Sequence, residues 1–149
     1  MGELAPDFEL VDQHGTPVRL SSFRGRRNVV LVFFPWAFSR VCTGELRVLR
    51  DEFSAFESVG AVVLAVSVDS KFVQRAFAEE EGVEFPVLAD FWPHGAVARV
   101  FGVFDEVAGA ALRGTFVIDR DGIVRWSVRQ GIGEARDPAE YRKALAELR

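Results

Sequence analysis

The chain has 149 residues, a net charge of −4 and a single cysteine. That length suits one domain, residues 1–149, burying roughly two-thirds of the surface its unfolded form exposes. The lone cysteine excludes an internal disulfide or a multi-cysteine metal cluster, and the acidic balance argues against a nucleic-acid groove. In chain order, Phe8–Val11 and Pro17–Leu20 flank the polar Asp12-Gln13-His14-Gly15 and predict a small hairpin. Ser21–Gly25 reads as a brief helical turn. Val29-Val30-Leu31-Val32-Phe33-Phe34 then forms an uninterrupted apolar run, the mark of a strand buried on both faces at the centre of a sheet.

Pro35 ends that run, because a residue without an N–H cannot continue a central ladder. Leu46, Leu49, Phe53 and Phe56 follow at helical spacing among charged residues and predict an amphipathic helix beginning near Cys42. Gly60 closes it before the strand Ala61–Val68, and strand-helix-strand order implies a right-handed crossover. Asp69 or Ser70 can cap the next helix, whose expected apolar face is Phe72, Val73, Ala76 and Phe77, ending at Gly82. Phe85–Leu88 reads as a short extended piece, Ala96–Phe101 as a short helix, and Gly102-Val103-Phe104 as leading into a loop with Gly109. Thr115–Ile118 and Ile123–Ser127, split by Asp119-Arg120-Asp121-Gly122, carry a strong hairpin signal. Arg129–Pro138 reads as a loop, and Pro138–Leu148 as a closing helix with Tyr141, Ala144, Leu145 and Leu148 inward. The sum is an α/β fold: a thioredoxin-like sandwich with a central mixed sheet, flanking helices and an N-terminal hairpin extension.

Cys42 falls in a helix's first turn, where unpaired N–H groups and the positive dipole end favour a thiolate. Lowering a thiol pKa from ~8.5 to ~6 raises the thiolate fraction at pH 7 only about thirtyfold, so fast chemistry needs further donors aimed at a leaving group. Ser39 brings a hydroxyl close before the sulfur, and Pro35 an apolar wall without a competing donor. His94, after Trp92-Pro93, invites a general-base reading, against which a locally bonded loop histidine is the simpler one. Gly131-Ile132-Gly133 lacks the rest of a dinucleotide fingerprint and reads as loop. Phe91, Trp92, Phe101 and Phe104 form an aromatic region open to core packing, a dimer interface or an apolar substrate edge.

Pro35-Trp36-Ala37-Phe38-Ser39-Arg40-Val41-Cys42 resembles the Pro-x-x-x-Thr/Ser-x-x-Cys motif of the peroxiredoxins. Together with Ala5–Phe8, Asp90–Ala96 and Arg113–Asp119, it resembles the one-cysteine alkyl hydroperoxide reductase E group known from actinobacteria. The resemblance implies roles residue by residue. Cys42 matches the peroxidatic cysteine, Ser39 the hydroxyl that bonds the peroxide, Pro35 the shield, and Arg113 the arginine stabilising thiolate and transition state. Glu45 matches a position that orients that arginine, and Trp36 and Phe38 stand at the substrate edge. Serine in place of the commoner threonine keeps the hydroxyl but loses the methyl that restricts its rotamer.

The implied activity is a thiol-dependent peroxidase acting on hydrogen peroxide, organic hydroperoxides or peroxynitrite through a Cys42 sulfenic acid. With no second cysteine in the chain, an external thiol must resolve it; the resemblance implies mycothiol or a mycoredoxin-like protein. No cofactor and no metal are expected. The chain is expected to be a cytoplasmic homodimer without membrane or nucleic-acid partners. The alternative is a thiol-based redox sensor or interaction module with incidental turnover, whereas a disulfide oxidoreductase would need a second nearby cysteine.

Overall fold

The computed structural model describes residues 2–58, 60–131 and 138–148. A five-stranded mixed sheet organises it, in the order β5-β4-β3-β8-β9. β3 (Asn28–Phe33) is the middle strand and is buried along its whole length, as the apolar run predicts. β4 (Ala61–Ser67) pairs with it in parallel and β5 (Val87–Ala89) extends that parallel half. On the other side β8 (Arg113–Ile118) runs antiparallel to β3, and β9 (Val124–Gln130) antiparallel to β8. The N-terminal hairpin, β1 (Glu9–Val11) and β2 (Pro17–Arg19), is a separate two-stranded sheet followed by a 3-10 turn, Leu20–Phe23.

Strand alternation sends side chains to two cores. One contains Val30, Val32, Val63, Ala65 and Val117 under α1 (Arg40–Ser58), α2 (Lys71–Glu81) and α4 (Pro138–Ala146). The other contains Val29, Leu31, Phe33 and Ile118 under α3 (Ala96–Val100) and the hairpin residues Phe8 and Leu20. Phe101 joins this second core, its ring 5.4 Å from Phe33 and 5.1 Å from Phe116.

Three local expectations are corrected. The buried stripe of α2 is Gln74, Phe77, Ala78 and Glu81, while Phe72 stands 75% exposed and Val73 and Ala76 also face outward. Polar partners cause the rotation: Gln74 Nε2 donates to Ser67 Oγ (2.7 Å) and to the Leu88 carbonyl (2.9 Å). Glu81 accepts from Arg47 Nε on α1 at 2.5 Å, so a carboxylate that periodicity alone assigns to solvent is held inside. Second, the loop with Gly109 expected beyond Phe104 is the turn of a two-stranded ribbon formed by β6 (Phe104–Asp105) and β7 (Ala110–Ala111). Third, β9 continues through Arg129 and Gln130, which pair with Gly114 and Arg113, so the strand outlasts the expected Ser127. The inward faces expected for Phe53 and Tyr141, and the loop reading over 132–137, lie outside the described residues. No helix among the described residues is long and apolar enough to cross a membrane.

Candidate active site

The end of β3 delivers Phe34 and a buried Pro35 to the loop that precedes α1. The Ser39 carbonyl accepts the Thr43 N–H at 2.9 Å, the first turn's i to i−4 bond, so Ser39 stands at the helix start and Cys42 is the third helical residue. The sequence expectation of a first-turn cysteine holds. Cys42 is 0% exposed and belongs to the buried cluster with Val32, Phe34, Leu46 and Val117. In the loop before α1, Trp36 is 38% and Phe38 51% exposed.

The Ser39 Oγ donates to the Trp36 carbonyl at 3.0 Å, which commits the hydroxyl proton and leaves the oxygen as an acceptor. Phe38 has φ 66°, a left-handed conformation that costs a non-glycine residue about 1–2 kcal/mol. Packing offsets that cost: the Phe38 ring centroid lies 5.0 Å from that of Phe77, which is fully buried on α2 and 6.0 Å from Phe34.

Arg113 opens β8, on the same face as Thr115 and Val117, which is the face that α1 covers. Its guanidinium is only 2% exposed and forms an ion pair with Glu45, whose side chain is 9% exposed. Glu45 follows Cys42 by three positions on α1, a spacing that sets Cβ atoms about 5–6 Å apart. The fold thus brings a buried arginine from across the sheet to the helical turn that carries the sulfur. The sequence pairing of Arg113 with Glu45, drawn only from resemblance, is a contact in the structure.

Two sequence candidates go elsewhere. His94 lies beside α3 over the second core, where its Nε2 is 2.6 Å from the Gly109 carbonyl and its ring meets Phe104 edge-on. It is a locally bonded loop histidine rather than a base for Cys42. The aromatic region divides, with Phe101 and Phe104 packed on the second core and Phe91 and Trp92 exposed. Sequence reasoning missed Asp69: Ser70 caps α2, its Oγ accepting the Val73 N–H at 3.3 Å, while the Asp69 carboxylate turns toward the loop and accepts the Ala37 N–H at 2.7 Å. A second capping residue with no helix N–H to serve was the available signal.

A single cysteine at the first turn of a helix, behind a proline-terminated central strand and with a buried arginine paired to Glu45 on the same helix, is the arrangement of a peroxiredoxin. The chain belongs to the AhpC/TSA family, whose model matches residues 1–127. It is 49% identical over 148 residues to alkyl hydroperoxide reductase E of Mycobacterium tuberculosis, covering 99% of this chain and 97% of that one. Among solved structures it resembles peroxidoxin BcpB from Mycobacterium tuberculosis, with a TM-score of 0.83 and 37% identity over 97% of this chain and 93% of that one. It also resembles AhpC of Enterococcus faecalis, with a TM-score of 0.89 and 31% identity over 98% and 90% of the two chains.

Proposed function

We propose that residues 1–149 are a single peroxiredoxin domain in which Cys42 reduces hydrogen peroxide, organic hydroperoxides or peroxynitrite. The observation that carries this reading is the buried Arg113–Glu45 pair, which anchors a guanidinium to the helix of Cys42 through a carboxylate three positions after the cysteine. The Cys42 thiolate displaces on the terminal peroxide oxygen: a sulfur–oxygen bond forms, the oxygen–oxygen bond breaks, and the leaving alkoxide or hydroxide takes a proton from solvent, while peroxynitrite releases nitrite. Arg113 offsets the negative charge spread over the attacking sulfur and the two oxygens, a guanidinium being always charged and presenting paired donors. Ser39 Oγ accepts the O–H of the peroxide, and Pro35 keeps water and competing donors from the sulfur.

The product is Cys42 sulfenic acid. This chain offers no second cysteine, so an external thiol attacks the sulfenic sulfur and releases water, and a second thiol frees Cys42 from the mixed disulfide. The resemblance to alkyl hydroperoxide reductase E supports mycothiol or a mycoredoxin-like protein as donor, a cytoplasmic setting, and a homodimer. Trp36 and Phe38, the exposed aromatics of the loop that leads into α1, are taken as the substrate edge.

The test is catalytic turnover: peroxide consumption by the protein with each of several low-molecular-weight thiols, with mass spectrometry of Cys42 during the reaction. The reading requires sulfenic acid and then a mixed disulfide at Cys42 during sustained consumption. Stoichiometric oxidation that no thiol reverses would contradict it. Sedimentation at low concentration tests the dimer, which a monomer throughout would exclude.

A further inference from the structure

The loop between β3 and α1 is held from both sides of one peptide group. The Ala37 N–H donates to Asp69 Oδ2 at 2.7 Å, and the carbonyl of the same peptide, that of Trp36, accepts the Ser39 hydroxyl at 3.0 Å. A trans peptide is planar and stiff, so fixing its N–H also fixes the direction of its C=O. A carboxylate on the N–H side polarises the peptide and makes its carbonyl oxygen a stronger acceptor.

Asp69 is held in turn. Ser67 Oγ donates to the same carboxylate oxygen at 2.6 Å and itself accepts from Gln74 Nε2 at 2.7 Å. Gln74 is fully buried and Ser67 nearly so. The other Gln74 amide proton goes to the Leu88 carbonyl at 2.9 Å, so the amide cannot flip without setting its oxygen against another acceptor. Every proton in the line therefore has one direction: Gln74 to Ser67, Ser67 to Asp69, the peptide N–H to Asp69, and Ser39 to the peptide carbonyl.

We infer that Asp69 is a positioning residue for peroxide reduction, which acts through the Trp36–Ala37 peptide to fix the Ser39 hydroxyl so that its oxygen faces the substrate. The inference rests on the proposed peroxidase reading. It also answers a question raised by the motif. A threonine at position 39 would be held in its rotamer by its own methyl group; the serine present here has no such restraint, and the line from Gln74 to the loop peptide supplies it from outside.

The test is a set of double-mutant cycles read by rapid-quench mass spectrometry of Cys42 oxidation by hydrogen peroxide, with Asp69→Ala combined with Ser39→Ala and with Ser39→Thr. Loss of one such hydrogen-bonded restraint is expected to slow oxidation about tenfold in the Ser39 background. The same change should have little further effect when Ser39→Ala has already removed the hydroxyl, and Ser39→Thr should recover most of the rate. If Asp69→Ala does not fold, Asp69→Asn takes its place, with about a threefold loss expected because an acceptor remains. Slowing that multiplies equally in all three backgrounds, or no slowing, overturns the inference while a fast wild type leaves the peroxidase reading standing. A wild type no faster than a free thiol overturns both.

Discussion

Replacing Arg113 by alanine tests the pair at the centre of the site on stability as well as on chemistry. The guanidinium is 2% exposed and the Glu45 side chain 9%, so the change leaves a carboxylate in a dry setting without that guanidinium. An exposed ion pair is worth about 0–1 kcal/mol, whereas breaking a buried one costs about 3–5 kcal/mol, and burial decides for the larger figure. With a urea dependence of about 2 kcal/mol per molar, the unfolding midpoint should fall by about 1.5–2.5 M. The Arg113→Ala/Glu45→Ala double variant should lose less than the sum of the two singles, because the second change removes the carboxylate that has lost this guanidinium. Equilibrium urea unfolding of the reduced protein, followed by circular dichroism, gives all four corners of that cycle. A midpoint shift below about 0.5 M, or strictly additive losses, would mean that the pair behaves like a surface bridge and does not fix the guanidinium on the helix of Cys42.

Two further expectations concern the frame around the site. Gly95 has φ 71°, and an added Cβ would fall inside contact distance of the Phe104 ring; Gly95→Ala should cost about 2–5 kcal/mol from backbone strain and overpacking together, and an unchanged thermal midpoint would refute this. At the β8–β9 turn, burial alone would raise the Asp119 carboxyl, but bonds from Arg125 Nε (2.6 Å) and the Ile123 and Asp121 N–H groups outweigh it and hold it below its usual value. A depressed carboxylate contributes stability that is present above its unfolded pKa of about 3.9 and is lost as pH falls through the lower folded value. Asp119→Asn should therefore be less stable than wild type near neutrality, with the gap closing in acid; a gap independent of pH would contradict that assignment.

Much of the fold was legible because its signals are local. Val29 to Phe34 announces a doubly buried strand without help from elsewhere, and Asp119 to Gly122 announces its turn by composition. The α2 face was not legible, since Gln74 and Glu81 are buried by Ser67, the Leu88 carbonyl and Arg47, partners that periodicity cannot see. The Ala110–Ala111 strand carries no β-branched or alternating pattern, and its pairing with Phe104–Asp105 comes from the chain around it. In the site, Pro35, Ser39 and Cys42 stand in one motif, whereas Arg113 arrives from a strand 71 residues later in the sequence and owed its place to family resemblance. Asp69 was hidden in plain composition, as one of two adjacent capping residues of which the helix uses only Ser70.

The most direct test of the central claim is stopped-flow tryptophan fluorescence of the reduced protein mixed with hydrogen peroxide, and separately with a fatty-acid hydroperoxide, with Cys42→Ser as control. Trp36 sits in the loop that leads into the helix of Cys42 and should report its oxidation. The account predicts a rate constant orders of magnitude above that of free cysteine, abolished in the control. A rate equal to that of a free thiol, or a signal that survives in Cys42→Ser, would contradict it.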